Sequence, residues 1–410
     1  MANDQVKVRM YNVGFGDCFL LHVRVGGKTS KILFDCGSVK HGPMSMEDIV
    51  ARIIRDVTDT DGEARIDVVV ATHRHKDHVS GFANNLWKKV TVKEVWMPWT
   101  ENPSDVDAEK IRERQSRLAL SLRTVAQQRQ ATLAATAAPE ERVRLSAVMD
   151  LAVNALSNEA AMAMLHTGFA GKPLRRFLPT LTDSATFETD ALPHSTINVL
   201  GPSRDARVIK DMDPPIGQSY LRLLDGRGPD NDIPEPFRED WWLDYDLDPV
   251  GLLLSTADRQ KISGIGGDVD FNVALALDKA LNGTSLMLLL EIGKARLLFP
   301  GDAQWGTWRA ALENPKWRQL MSKTTFYKIG HHGSHNATPV EFVEDILGAD
   351  FWAMVSTAHV QHWPFIPKEE LLAALSQKCN NRVARTDIEK SVPSGYTVKP
   401  DEFIELEISI

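Results

Sequence analysis

Cysteine is scarce in this chain of 410 residues. Cys18, Cys36 and Cys379 are widely spaced and form no Cys-x-x-Cys pair. That argues against a disulfide framework or a cysteine zinc module, and reduced thiols fit a cytoplasmic protein. Long hydrophobic runs are missing too. No apolar stretch approaches the roughly 20 residues that span a bilayer, and none follows a basic head at the start, so neither membrane insertion nor a secretory signal is expected. Positive charge is not in excess: the formal net charge is −8. This disfavours a protein that coats nucleic acid through many phosphate contacts, but allows an enzyme with a locally positive cleft.

What is present suits a folded core, with 43% hydrophobic and 25% charged residues. The length fits one large domain with insertions or two ordinary ones. The first third reads as β-rich. Val6–Val13, Cys18–Val25 and Lys31–Phe34 predict a meander of short strands, broken at Gly14-Phe15-Gly16-Asp17 and Gly26-Gly27-Lys28. Helical spacing runs from Met44 to about Arg55. Ile66–Val70 is unbroken and apolar, the pattern of a strand buried on both faces, and Lys93–Met97 is another strand candidate.

Residues 103–170, rich in Ala, Arg, Gln and Leu and broken near Ala138-Pro139, predict an inserted helical hairpin. Strand character returns at Thr196–Leu200. Residues 204–267, rich in Asp, Pro and Gly and containing Trp241-Trp242, predict a long loop or lid. The last third alternates strands (Ser285–Glu291, Ala295–Phe299, Thr325–Ile329, Phe351–Ser356, Arg382–Arg385, Phe403–Ile408) with a helix at Lys368–Leu375. No short repeat is visible, and the sequence shows no duplication of halves.

Chemistry concentrates at four places. The first is His73-Arg74-His75-Lys76-Asp77-His78, directly after the buried strand, where α/β proteins build their sites. In an extended segment the rings of His73 and His75 point to one side and can grip one metal. Asp77 and His78, further on, can serve a second. Four ligand-type residues in six positions are hard to explain as a surface loop. The second is Gly301-Asp302 at a strand tip, a carboxylate placed to bridge two metals; alone it would read as a turn. The third is Lys328-Ile329-Gly330-His331-His332-Gly333-Ser334, where one histidine can ligate a metal and the other can act on an oxyanion or as a general acid. The fourth is His359-Val360-Gln361-His362-Trp363-Pro364, either of whose histidines can complete a ligand shell or be an ordinary loop residue. His22, His41, His166 and His194 are isolated.

Taken together and in this order, these segments resemble the metallo-β-lactamase superfamily, and more narrowly the branch that includes the hydrolase domain of the competence protein ComEC, without its membrane channel. The likeness is carried by Gly14-Phe15-Gly16-Asp17, Asp35-Cys36-Gly37, the His73 to His78 run, Gly201-Pro202, Asn282-Gly283-Thr284-Ser285-Leu286, Gly301-Asp302, Lys328 to Ser334, His362-Trp363-Pro364 and Arg385-Thr386-Asp387.

The resemblance implies an α/β fold, a four-layer αββα sandwich over residues 1–410 bearing the two insertions. It implies two divalent metal ions, zinc or manganese. One is held by His73, His75 and His332, the other by Asp77, His78 and His362, with Asp302 bridging. His331 would face the substrate, and Asp35 and Ser334 would support the ligands from outside.

The expected function is hydrolysis by a metal-activated water, with Asp77 or Asp302 taking its proton. A phosphodiester, as in nucleic acid or a nucleotide, is favoured as substrate. Lys110, Arg114 and Arg117 fall on one helix face and could meet phosphates, although such a charge run is more often a solvated face. The alternatives are a carbonyl substrate (lactone, thioester or lactam) and a metal-binding regulatory module without turnover.

Overall fold

The computed structural model describes residues 4–132, 139–156, 158–181, 185–215, 217–220, 268–336, 338–360 and 366–410. Its strands are β1 (Gln5–Tyr11), β2 (Gly14–Phe15), β3 (Phe19–Val25), β4 (Lys28–Phe34), β5 (Lys40–His41), β6 (Arg65–Val70), β7 (Thr91–Pro98), β8 (Leu174–Leu178), β9 (Thr186–Phe187), β10 (Ser195–Gly201), β11 (Met287–Ile292), β12 (Ala295–Phe299), β13 (Phe326–Lys328), β14 (Trp352–Val355), β15 (Val383–Arg385), β16 (Tyr396–Lys399) and β17 (Phe403–Ser409). The fold is mixed α/β. One eight-stranded sheet runs β16-β17-β1-β3-β4-β6-β7-β8, and one seven-stranded sheet runs β15-β14-β13-β12-β11-β10-β9.

The two sheets repeat one topology. In the first, β1, β3 and β4 pair antiparallel and β4, β6, β7 and β8 pair parallel. In the second, β10, β11 and β12 pair antiparallel and β12, β13, β14 and β15 pair parallel. The last residues of the equivalent strands β4 and β12, Phe34 and Phe299, stack with ring centroids 4.0 Å apart. No repeat shows in the sequence because what is shared is strand order and direction, which many side chains satisfy.

Alternation decides where each side chain goes. Val6, Val8 and Met10 of β1, Val68 and Val70 of β6, Leu288 and Leu290 of β11, and Leu297 and Phe299 of β12 belong to one buried cluster built from both sheets. The intervening residues serve two other clusters. Leu33 and Val69 pack with the helix Met46–Val57, and Leu289 and Leu298 pack with the helices Trp305–Glu313 and Pro315–Met321. β6 is thus buried on both faces, as its unbroken apolar run requires.

The helix Met46–Val57 forms because Ile49, Val50, Ile53 and Val57 share one buried stripe, while Ser45 caps it by accepting from the Asp48 N–H at 3.1 Å. Such a cap contributes about 1 kcal/mol.

Between β7 and β8 lie the helices Val106–Thr132 and Pro139–Leu156, then a short one at Glu159–Ala163. The two long helices pack together. A third, Asp268–Asn282, lies against both through Ala274, Leu277 and Leu281, which meet Ala119, Leu122 and Leu151. The expected hairpin over 103–170 is therefore part of a three-helix group whose third member comes from far along the chain. In the expected loop over 204–267, Ala206–Lys210 forms a helical turn capped by Asp205; residues 221–267, with Trp241 and Trp242, lie outside the described residues. The sequence pattern does not predict β2, β5, β8, β9, β16 or the helices Trp305–Glu313, Pro315–Met321 and Asp268–Asn282. Among the described residues no helix is long and apolar enough to cross a membrane.

Candidate metal centre

The parallel strands β4, β6, β12, β13 and β14 end at one edge of the two sheets, and the polar residues follow their carboxyl ends. Asp35 comes after β4, Thr72 to His78 after β6, Asp302 after β12, His331 and His332 after β13, and Ser356 after β14. Carboxyl ends of parallel strands are the usual place for a site, because the chain there leaves the sheet and is free to vary.

Asp77, His78, Asp302 and His332 are all buried, and one ligand atom from each lies within 4.8 Å of the others. His332 Nε2 is 3.1 Å from Asp77 Oδ2. His78 Nε2 is 3.1 Å from Asp302 Oδ2 and 3.8 Å from Asp77 Oδ2. Beside them, His73 Nε2 and His75 Nδ1 face each other at 3.0 Å, and the His73 and His78 rings are 4.1 Å apart between centroids. His332 therefore groups with Asp77 and His78. The expected division put His332 with His73 and His75.

Three of these imidazoles give their other nitrogen to something outside the centre, and the fourth, His75, has a carboxylate near its own. His73 Nδ1 is 3.2 Å from Thr72 Oγ1, and His78 Nδ1 is 2.9 Å from Asp35 Oδ2. His332 Nδ1 donates to the Ser356 carbonyl at 2.8 Å. His75 Nε2 lies 3.6 Å from Asp278 Oδ1. Such outer partners fix which nitrogen carries the proton and leave the other's lone pair facing inward. Asp35 does most of this. It also accepts from the Thr72 N–H and hydroxyl, each at 2.7 Å.

The glycine turns hold the histidine loop by its backbone. The Asp17 N–H donates to the Asp77 carbonyl at 2.9 Å, and the Cys36 N–H to the His78 carbonyl at 2.7 Å. That approach leaves no room for a side chain at position 37, where a Cβ would sit 2.5 Å from Lys76 O and 2.6 Å from Asp77 C. After β13 the chain takes positive φ at His331 (45°), His332 (51°) and Gly333 (79°). At the two histidines this costs on the order of 1–3 kcal/mol each, a strain typical of functional positions.

Charge is concentrated here with little water to screen it. Burial works against the His78 and His332 charges. Asp302, Asp77 and Asp35 around His78, and Asp77 beside His332, outweigh it and raise both pKa values. Burial opposes ionisation of Asp77 and Asp302 as well, yet neighbouring His78 holds both carboxyls below the usual range, with His332 beside Asp77 and Lys328 beside Asp302. His75 goes the other way: burial pushes it down to about 4. Lys328 is buried against the carboxylate of Asp17 and lies 3.6 Å from Asp302 Oδ1. It places a fixed positive charge behind Asp302.

The remaining expected residues fall in different places. The backbone N–H of His331 donates to Asp302 Oδ1 at 3.0 Å, and its ring Nδ1 is buried with no hydrogen-bond partner among the described residues. The Ser334 hydroxyl is spent on Asn336, whose amide donates to Gln304. Gln304 in turn donates to the Asp302 carbonyl. Ser334 thus reaches the centre only through that relay. His359 is exposed, with its carbonyl accepting from Lys40. His362 lies outside the described residues. An open pocket of about 490 Å³ beside the histidine loop is lined by Arg74, Arg112, Ser116 and Arg117 together with Glu109 and Glu113. Lys110 and Arg114 do not line it.

Several contributors carry no motif of their own. Asn154 Oδ1 accepts from the Lys76 N–H at 2.7 Å, and Asn158 Nδ2 donates to the Arg74 carbonyl at 2.6 Å. Asp278 faces His75. Nothing in the sequence says which segment these residues meet.

The donor set suits a cation. Asp77 Oδ1 is buried without a hydrogen-bond partner among the described residues, and carboxylates converge with imidazole nitrogens. Buried His and Asp groups of this kind can hold a divalent metal ion. No family model matches the chain, and no curated protein matches it.

Proposed function

We propose that the chain is a dinuclear metal-dependent hydrolase with a four-layer αββα architecture resembling the metallo-β-lactamase superfamily, acting on a phosphodiester such as nucleic acid or a nucleotide. The observation that carries this reading is the convergence of Asp77, His78, Asp302 and His332, all buried, next to the facing nitrogens of His73 and His75. His73 and His75 would hold one cation and Asp77, His78 and His332 the other, with Asp302 serving both.

Two divalent ions bound there supply Lewis acidity and a nucleophilic water at neutral pH. The protein's part is to keep Asp77 and Asp302 ionised, to hold each imidazole in one tautomer, and to exclude competing solvent by burial. Asp77, with Oδ1 unpartnered among the described residues, would take a proton from the attacking water. His331, whose buried Nδ1 has no hydrogen-bond partner among the described residues, would hydrogen-bond a substrate oxygen or donate to the leaving group. A carboxylate at Asp302 shared by two ions would favour displacement at phosphorus over lactam cleavage. Arg74, Arg112 and Arg117 around the adjacent pocket suit a phosphate-bearing substrate.

The test combines metal analysis with turnover. Protein loaded with zinc or manganese is expected to hold two ions per chain and to cleave bis-nitrophenyl phosphate faster than a thioester panel, and Asp302→Ala should abolish cleavage. A chain that retains no cation at these groups would sink the reading.

A further inference from the structure

His75 is held from three sides by segments that belong to neither sheet. The residue before it gives its carbonyl to Asn158 and the residue after it gives its N–H to Asn154. Both asparagines are buried, at 3% and 5% exposure. On the ring itself, Nδ1 faces His73 Nε2 at 3.0 Å, while Nε2, on the opposite edge, is buried, has no hydrogen-bond partner among the described residues, and points at Asp278 Oδ1 3.6 Å away.

Asp278 is itself oriented. Its other oxygen, Oδ2, accepts from Asn282 Nδ2 at 3.2 Å, one turn along the same helix. Leu277 and Leu281, each one residue round, pack that helix onto the helices Val106–Thr132 and Pro139–Leu156. Hydrogen bonds from N–H to O run to about 3.2 Å, so the gap to His75 closes with a ring movement of a few tenths of an ångström.

We propose that Asp278 is a positioning residue: it takes the Nε2 proton of His75 in a hydrogen bond and so presents Nδ1 to the cation shared with His73. The helical segment then becomes part of the centre's outer support, doing for His75 what Asp35 does for His78. This inference rests on the two-metal reading above. Asp278 does not itself join the ligand atoms, because its carboxylate stands on the ring edge away from His73. A carboxylate in this position typically changes metal affinity 10- to 100-fold.

The test follows cobalt(II) binding to the full-length protein by visible absorption and chelator competition. The wild-type chain is expected to take two ions and His75→Ala to lose one. Asp278→Leu should bind one of the two ions 10- to 100-fold more weakly with an altered spectrum. Asp278→Asn, which still offers an oxygen to Nε2–H, should recover most of the loss. Asp278→Leu binding both ions as wild type does would overturn the role of Asp278 while leaving the two-metal reading intact. Failure of the wild type to bind cobalt, zinc or manganese would remove the two-metal reading first. If Asp278→Leu does not fold, proton and nitrogen NMR of the zinc-loaded wild type decides. The inference expects His75 protonated at Nε2, and a proton on Nδ1 contradicts it.

Discussion

Asp35 and Asp302 stand on opposite ring nitrogens of His78, with Asp35 Oδ2 2.9 Å from Nδ1 and Asp302 Oδ2 3.1 Å from Nε2. They follow the equivalent strands β4 and β12. Each gives its other oxygen to a backbone N–H just beyond the next parallel strand, that of Thr72 at 2.7 Å and that of His331 at 3.0 Å. The same residue type in the same topological place is put to two uses. Asp35 takes three hydrogen-bonding contacts, two from Thr72 and one with His78, and orients that ring. Asp302 lies among Asp77, His78 and His332 and can ligate.

Substitution should separate those uses. Asp35→Ala strips a buried acceptor from the Thr72 N–H, the Thr72 hydroxyl and His78. Buried donors left unpaired cost about 1–3 kcal/mol each. The metal-free protein is expected to lose about 3 kcal/mol or more in urea unfolding, and metal affinity should fall 10- to 100-fold. Asp302→Ala should cost less stability, since Lys328 keeps Asp17, but remove metal-dependent hydrolysis. Equal destabilisation by the two variants would contradict this division.

Gly37→Ala tests the backbone grip on the histidine loop. The added methyl meets main-chain atoms of Lys76 and Asp77, which cannot rotate away as a side chain can. Overpacking of this kind costs about 1–3 kcal/mol, and here the displaced atoms carry Asp77 and His78. Metal affinity is expected to fall at least tenfold. A variant that keeps wild-type affinity despite lower stability would show that the loop position tolerates the shift.

How much of this could be read in advance follows from where each contact is encoded. His73 to His78, Asp302 and His332 stand in short segments whose chemistry is local, next to strands announced by their apolar runs, so they are visible in the sequence. The choice between His331 and His332 is not. It depends on φ angles of 45° and 51° in succession, with one ring toward Asp77 and the other without a hydrogen-bond partner at Nδ1 among the described residues. Asp278, Asn154 and Asn158 are invisible for a different reason. Asp278 and Asn154 lie on helices and Asn158 caps another, all far from the motifs, and Asp278 is brought toward His75 by the packing of Leu277 and Leu281 against the long hairpin. The duplicated topology is likewise a property of strand order, which leaves no repeat of residues behind.

The metal-free centre should make the protein less stable as pH rises. Burial, then Asp77 and Asp302, push Asp278 from 3.8 up to about 8. The fold therefore keeps a proton that the unfolded chain gives up, and stability drains away between about pH 4 and 8. His78 is also raised above its ordinary 6.5, so its contribution is complete below that value and is lost as pH climbs through the raised one. Asp77 and Asp302 are held low; their contribution is present above 3.8 and is lost only in acid. The histidines held low, including His75 at about 4, act below 6.5. His332 is raised in the same way by Asp77. From pH 7 to 9 these raised groups dominate, and metal-free stability should fall by about 1–3 kcal/mol. Added zinc should restore more stability at pH 9 than at pH 7, because ligands must be deprotonated to bind. Urea unfolding with and without zinc checks both slopes, and a metal-free stability that rises over this range would contradict the charge assignment.

The asparagines of the helical segment offer the last separation. Asn154→Leu leaves the buried Lys76 N–H without its acceptor, at a cost of about 1–3 kcal/mol, while filling the space so that the helix Pro139–Leu156 stays packed. If the helices only decorate the sheets, that loss appears in unfolding alone and metal affinity is unchanged. If they position His75, the ion shared by His73 and His75 should weaken at least tenfold, and the ion at Asp77, His78 and His332 should hold within about threefold, because its ligands are braced by Asp35 and Ser356 instead. Sequential chelator titration, reading the two ions separately in the cobalt protein, distinguishes these results. Parallel weakening of both ions would mean that the asparagine supports the whole loop and not His75 in particular.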